Sequence, residues 1–325
     1  MNIWRKPNWR GWRRWLTAGF LLLVGVLIIH VAKAIDWSQV WSTLLQLPPS
    51  RLALATGLSS LSYLGYAGTD LFAGSALGDR VSRPRAMAIA FVSYAFNQNF
   101  GALLGTIGFR LRLYSQQGLD TKSIARIIGL SFVTNWSGYF LLAGISFLAW
   151  PLPLPPGWKF GMVLLHLSGL VFLVVLAIYL ACSATLRQRR WVLGKLTIEF
   201  PPARTVLLQL LLSTAIWLAI FGTLYCLLPA GPGALAVLAV FLVASIIGLI
   251  SHVPAGLGVI ELVYLTLLGN NLPRHEILAG LIAYRAVYYL WPLIPAALLY
   301  FWLETGTRGD RPESSAPSPT LEKGK

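Results

Sequence analysis

Ser251-His-Val-Pro-Ala-Gly-Leu-Gly-Val-Ile-Glu-Leu-Val-Tyr264 places a proline, two glycines and a carboxylate inside an otherwise apolar run. Within hydrocarbon, broken backbone and ionisable groups are tolerated only where protein or a water-filled cavity surrounds them. The four features together mark a site in a broken membrane element, with Glu261 at its centre. Pro254 and Gly256 are expected to interrupt the helix. The half-helix that restarts near Gly258 would then offer unpaired N–H donors and a partial positive charge to an anion.

The rest of the chain agrees with a membrane setting. Of its 325 residues 56% are hydrophobic and only 11% charged, more apolar surface than a soluble core of this size needs. Thirteen Trp and twelve Tyr suit the two membrane interfaces. The expected fold class is all-α: a polytopic membrane protein.

The net charge of +15 follows from topology, since 21 of the 26 Lys and Arg fall in segments that can all lie on the cytoplasmic side. No nucleic-acid-binding motif accompanies the charge, so nucleic acid is not expected as a partner. Cys182 and Cys226 form no CxxC, and His30, His166, His252 and His275 are scattered without ligand spacing, so neither metal nor cofactor is expected. Arg5, Lys6, Arg10, Arg13 and Arg14 ahead of Trp15 to His30 imitate a secretory signal peptide. The run continues to Ala34, long enough to span, which favours an uncleaved first helix.

Six apolar runs, 15–35, 52–72, 124–150, 159–181, 206–228 and 277–303, are each long enough to cross a core of about 30 Å. Two more, 86–107 and 235–269, read as re-entrant helical hairpins. If 86–107 crossed the membrane, Arg110, Arg112, Lys122 and Arg126 would face outward, against the positive-inside bias. Segments 1–14, 73–85, 108–126, 182–205 and the tail from 304 then lie inside, with both termini cytoplasmic. The order helix, hairpin, helix occurs twice, at 52–150 and 206–303, in opposite senses, within one transmembrane domain spanning 15–303. That is an inverted repeat, whose substrate site would lie near the midplane. Gly108-Phe-Arg-Leu-Arg-Leu-Tyr114 lines up with Gly258-Val-Ile-Glu-Leu-Val-Tyr264. The tail 304–325, rich in Ser, Pro, Glu and Lys, is expected to be disordered.

The chemistry-bearing candidates cluster at the hairpins. Asn97 and Asn99 can satisfy backbone groups freed at a hairpin tip, and Gly101, Gly105 and Gly108 allow close helix approach. Arg110 and Arg112 have two readings: anchors snorkelling to bulk lipid, or guanidinium groups gripping a headgroup phosphate. Glu261 is a headgroup ligand, a proton-coupling carboxylate, or a partner for a neighbouring arginine. Arg285 is the only cation well inside a full span and needs a bundle-facing partner, for which Glu261 is the candidate. Tyr288 and Tyr289 share its face, and Pro292 and Pro295 should bend the helix. Asp70, near the inner end of the second span, is either interfacial or part of the site.

Three stretches carry a resemblance: SYAFNQNFGALLGTIGFRLRLYSQQGL (93–119), HVPAGLGVIELVYL (252–265) and AYRAVYYLWPLIP (283–295). On these the chain resembles the YbhN family of bacterial inner-membrane proteins, which belongs with the membrane region of lysylphosphatidylglycerol synthases of the MprF type. The resemblance covers residues 50–303. It implies paired hairpins and a lipid translocase of the inner membrane. The residues themselves suggest a mechanism for such a protein, in which Arg110, Arg112 and Arg285 bind phosphate and Glu261 contacts a cationic group or modulates Arg285, with Gly256, Gly258, Asn97, Asn99 and Asp70 as further candidate binding residues. Membrane phospholipids are the expected partners. No aminoacyltransferase domain follows Leu303, so the chain is not expected to synthesise an aminoacyl lipid. Alternatives are a non-transporting partner of a lipid-modifying enzyme, or a membrane-embedded lipid enzyme, for which no catalytic set is recognised.

Overall fold

The computed structural model describes Leu22 and residues 37–78, 81–150, 161–185, 190–193, 196–199, 201–231, 233–251 and 256–306. The basic N-terminus, the first span at 15–35 apart from Leu22, the segment from His252 to Ala255 with Pro254, and the tail beyond Gly306 lie outside the described residues. The described chain is helical: α1 (Trp37–Gln46), α2 (Pro49–Thr69), α3 (Arg83–Phe100), α4 (Arg110–Gln116), α5 (Thr121–Leu148), α6 (Gly161–Thr185), α7 (Ala203–Leu227), α8 (Ala234–Ser251), α9 (Val259–Leu268), α10 (Arg274–Tyr284) and α11 (Leu293–Gly306). Two π-helical stretches, Leu103–Phe109 and Arg285–Leu290, lead into α4 and continue α10.

Five of the described helices are long and apolar enough to cross a membrane: α5, α6, α7, α8 and the combined stretch Arg274–Thr305. Two expected elements read differently by length and composition. Helix α2 has the length, but its serines and tyrosines leave it too polar to qualify by composition. Helix α8, expected only as one arm of a hairpin, qualifies alone. The basic segment 182–205 contains a two-stranded antiparallel hairpin, β1 (Arg190–Leu193) and β2 (Leu196–Glu199), with Arg190 opposite Glu199 and Leu193 opposite Leu196.

Both expected hairpins form. Helix α3 folds back on the π stretch and α4, and α8 folds back on α9. The first is possible because residue 105 is glycine: a Cβ there would lie 2.1 Å from the Asn97 backbone. Gly101 has open space where a Cβ would sit and Gly108 makes no comparable approach to another helix, correcting the expectation that all three glycines of this arm serve close packing. The first hairpin also runs further than expected. Its second arm continues through Gln116, so Arg110 and Arg112 lie within the arm and not in a loop. At 18 and 10 residues, α8 and α9 are about 27 Å and 15 Å long, so the second hairpin pairs a full-length arm with a half-length one.

The order long helix, hairpin, long helix occurs twice, and the two leading helices, α2 and α7, pack directly on each other. Helix α6 joins the halves and is apolar around its whole circumference, with little of it covered by protein. Such a surface is matched by lipid.

Candidate headgroup site between the two hairpins

Helix α2 carries Ser59, Ser62, Tyr63, Tyr66 and, just past its end, Asp70, spaced by three or four residues and therefore on one face. All five are buried, so this polar stripe faces the protein and not lipid. Against it stand α3, α5 and the Arg285–Leu290 stretch. A cavity of about 910 Å³ lies between the two hairpins, and its lining includes Tyr66, Tyr94, Asn97, Gln98, Arg110, Asn135, Gly256, Tyr264, Tyr284, Tyr288 and Tyr289. Its edge is apolar: Leu103, Phe132, Leu249 and Ile250 also line it and are largely exposed.

One wall is held by hydrogen bonds and a ring stack. Tyr66 donates to Asn135 Oδ1, and its ring stacks on Tyr94. The Tyr94 and Tyr288 hydroxyls are 2.7 Å apart, and Gln98 Nε2 donates to the Tyr288 hydroxyl at 3.0 Å. These contacts tie the first hairpin to the broken last span.

That break is held from outside. The Trp291 N–H bonds to the Ala286 carbonyl, one residue further back than in an α-helix, and Pro292 has no N–H to give. The carbonyls of Val287 and Tyr288 thus lose their usual donors. Ser59 Oγ donates to Val287 O at 3.1 Å, the Tyr63 hydroxyl to Tyr288 O at 2.9 Å and Asn99 Nδ2 to Tyr289 O at 3.1 Å. Buried carbonyls require such partners. Asn99, expected to satisfy backbone at its own hairpin tip, instead serves the Tyr289 carbonyl and, within its own helix, that of Ala95.

The ionised groups are paired. Arg110 donates through Nε to Asp70 Oδ2 and through Nη2 to Asp70 Oδ1, both at 3.0 Å, and Nη2 also reaches Ser131 Oγ at 3.3 Å. The Tyr114 hydroxyl adds a 2.8 Å bond to Asp70 Oδ2. The side chains are only 4% and 0% exposed, so Arg110 is no surface anchor and Asp70 is enclosed by protein. Arg110 Nη1 takes no part in these bonds, and Arg110 lines the cavity. Arg112 points elsewhere, to Glu304 Oε1 at 2.7 Å and the Tyr300 hydroxyl at 3.2 Å, away from the cavity lining. It too is largely buried, which removes the lipid-anchor reading.

Glu261 and Arg285 meet, as expected. Arg285 Nε and Nη2 both reach Glu261 Oε1, at 2.8 and 2.7 Å, and Nη2 approaches the Gly256 carbonyl at 3.4 Å. Gly256 and Gly258 have φ of +59° and +78°, conformations open to glycine, which lets the chain turn into α9. Neither Glu261 nor Arg285 belongs to the cavity lining. Their neighbours Ile260, Tyr264, Tyr284 and Tyr289 do, so the pair braces the wall from behind. Of the sequence candidates, Asn97, Arg110 and Gly256 line the cavity. Asp70, Asn99, Arg112, Gly258, Glu261 and Arg285 do not. Tyr66, Tyr94, Gln98 and Asn135 were missed, although the spacing of Ser59, Ser62, Tyr63 and Tyr66 was a readable signal.

The family model described as the lysylphosphatidylglycerol synthase TM region matches residues 16–296. The chain belongs to this family. Over 311 residues it is 37% identical to the inner membrane protein YbhN of Escherichia coli, covering 95% of this chain and 98% of that protein. It is 32% identical over 268 residues to an uncharacterized protein of Synechocystis, covering 81% and 82% of the two chains. Similarity to the phosphatidylglycerol lysyltransferase of Staphylococcus haemolyticus is 25% over 235 residues, which is 66% of this chain but 25% of that enzyme. With its five spanning-length helices, this member of the lysylphosphatidylglycerol synthase TM-region family is a multi-pass membrane protein.

Proposed function

We propose that the protein is a lipid transporter of the bacterial inner membrane, moving an anionic phospholipid or lipid-linked headgroup between leaflets. The observation that carries this reading is the cavity's division into a polar interior and an exposed apolar edge. A headgroup fits the interior while its acyl chains stay in lipid alongside Leu103, Leu249 and Ile250. Arg110 is the phosphate ligand: Asp70 fixes its plane through Nε and Nη2, and Nη1 remains for the headgroup. Glu261 and Arg285 act by holding α9 against the Arg285–Leu290 stretch. Membrane phospholipids are the partners.

Leaflet exchange of labelled anionic and zwitterionic phospholipids in proteoliposomes tests this. Wild type should exchange anionic lipid faster than empty vesicles. Arg110→Lys, which keeps a charge for Asp70 but loses the planar fork, should slow exchange at least tenfold. Ser245→Trp, which fills the cavity without touching either ion pair, should abolish it. No exchange by folded wild type, with or without a proton gradient, would sink the transport reading. It would then favour a second one, a partner of a lipid-modifying enzyme, supported by the similar region forming about a quarter of the lysyltransferases.

A further inference from the structure

We propose that Glu261 is a proton-binding site linked to anion binding in the cavity, so that each anionic headgroup is carried together with a proton. The inference rests on the transport reading and adds its coupling ion. The Asp70 and Glu261 carboxylates each meet an arginine, but their oxygens are used differently. Asp70 has donors on both: Arg110 Nη2 on Oδ1, and Arg110 Nε and the Tyr114 hydroxyl on Oδ2. Glu261 takes both Arg285 bonds on Oε1, at 2.8 and 2.7 Å, while Oε2 is buried with no hydrogen-bond partner. A buried oxygen without a donor disfavours the carboxylate, and a proton placed on it removes the charge. The Glu261 side chain is 21% exposed and that of Asp70 0%, so protons reach the first acid and not the second.

The surroundings of Glu261 contain no second acid that could take over this role. It stands in the first turn of α9, just past the left-handed glycines 256 and 258 where the second hairpin bends. Helix α9 packs on α8 and α10. Residues 234–251 of α8 carry no titratable group. From α10 and its continuation come Tyr284, Arg285 and Tyr289, and from α9 itself Tyr264, whose hydroxyl is also buried without a partner. Arg274, His275 and Glu276, at the far start of α10, are exposed. His252 lies outside the described residues and is covered by the experiment below.

The proton acts on the cavity through charge. Carboxylate and proton give the neutral acid, and Arg285 remains a cation, held by the Gly256 carbonyl at 3.4 Å and by the Tyr289 ring, 5.8 Å from its Cζ. Its charge, no longer offset by Glu261, then stands behind Tyr289, which lines the cavity. Arg110 does line the cavity, but Asp70 offsets it in either state. Over a distance on the order of 10 Å, at an effective dielectric constant of about 20, one such charge raises anion affinity about tenfold. Linkage is reciprocal, so a bound anion raises proton affinity by the same factor. Proton and anion thus load and leave together, and the carried pair is neutral.

Fluorescent phosphatidylglycerol, whose phosphodiester stays ionised, is titrated into purified protein from about pH 8 to about pH 4, across the ordinary carboxylate range. Wild-type affinity should rise about tenfold as pH falls. Glu261→Gln, neutral at every pH, should bind with the low-pH affinity throughout. The Glu261→Gln, Arg285→Gln double variant should show the high-pH affinity throughout, which keeps the test open if the single variant is not monodisperse. His252→Gln should respond as wild type does. In proteoliposomes, an imposed pH gradient should accumulate labelled phosphatidylglycerol in the leaflet facing the alkaline side. Wild-type affinity that ignores pH, a response that survives in either Glu261 variant, or one that disappears in His252→Gln would overturn the inference. Proton-linked binding without any lipid exchange would keep the linked site and remove transport. Exchange that responds to neither pH nor gradient would do the reverse.

Discussion

Tyr63 donates its hydroxyl to the carbonyl of Tyr288 at 2.9 Å, supplying the bond that Pro292 cannot give. The leading helix of the first half thereby stabilises the break in the last span of the second. Ser59 and Asn99 do the same for the flanking carbonyls, so the kink is clamped at three points from two elements.

Tyr63→Phe should therefore lower stability by about 1–3 kcal/mol, the cost of a buried acceptor left without a donor. In a Pro292→Ala background, where residue 292 regains its N–H, the same substitution should cost less. Thermal unfolding of the two single variants and the double variant in detergent reads the difference, and equal costs in both backgrounds would count against the clamp.

The two ion pairs should not be equally important to folding. Asp70 is fully buried while the Glu261 side chain is 21% exposed. Removing one partner of a buried pair costs about 3–5 kcal/mol because the other charge is stranded. Asp70→Asn should thus destabilise more than Glu261→Gln. Replacing Asp70 and Arg110 together by Leu and Met should recover much of the stability and still fail to exchange lipid, which thermal unfolding and the proteoliposome assay would separate.

Gly105→Val should prevent the first hairpin from closing, since even a Cβ would sit inside the Asn97 backbone. Size-exclusion profiles of detergent extracts should show loss of the monodisperse peak. Gly129→Ala, on α5 with open space around it, should be neutral or stabilise by about 0.5–1 kcal/mol.

Arg112→Gln should weaken the protein without changing lipid preference. Arg112 joins α4 to α11 through Glu304 and Tyr300 and does not line the cavity. A shift in the anionic-to-zwitterionic exchange ratio in folded Arg112→Gln protein would contradict that placement.

Much of this arrangement was legible from residues alone. A proline, two glycines and an acid in one apolar run located the second hairpin, and a lone intramembrane cation found its partner because Arg285 and Glu261 each needed one. The polar face of α2 was not, because Ser59, Ser62, Tyr63 and Tyr66 are individually mild and sit among leucines and alanines in a helix of spanning length. Asn135, one amide inside α5, escaped for the same reason. The roles of Arg110 and Arg112 were blurred because sequence alone gave no direction to either side chain. Nor did counting charges reveal that Asp70, forty residues away, lies against Arg110.

The π-helical stretch Leu103–Phe109 has a consequence for that direction. Its Ile107 N–H reaches back five residues, to the Ala102 carbonyl, so the turn holds one residue more than an α-helix would. One surplus residue advances everything after it by about 100° around the axis. Arg110 meets Asp70, and Arg112 meets Glu304, only with that advance in place. Side-chain direction along this arm is thus a matter of phase, set upstream of the residues it governs. Deleting one residue between 103 and 109 would return the turn to α-helical pitch and keep both arginines aimed, whereas forcing the full count into an α-helix would turn both away from their carboxylates.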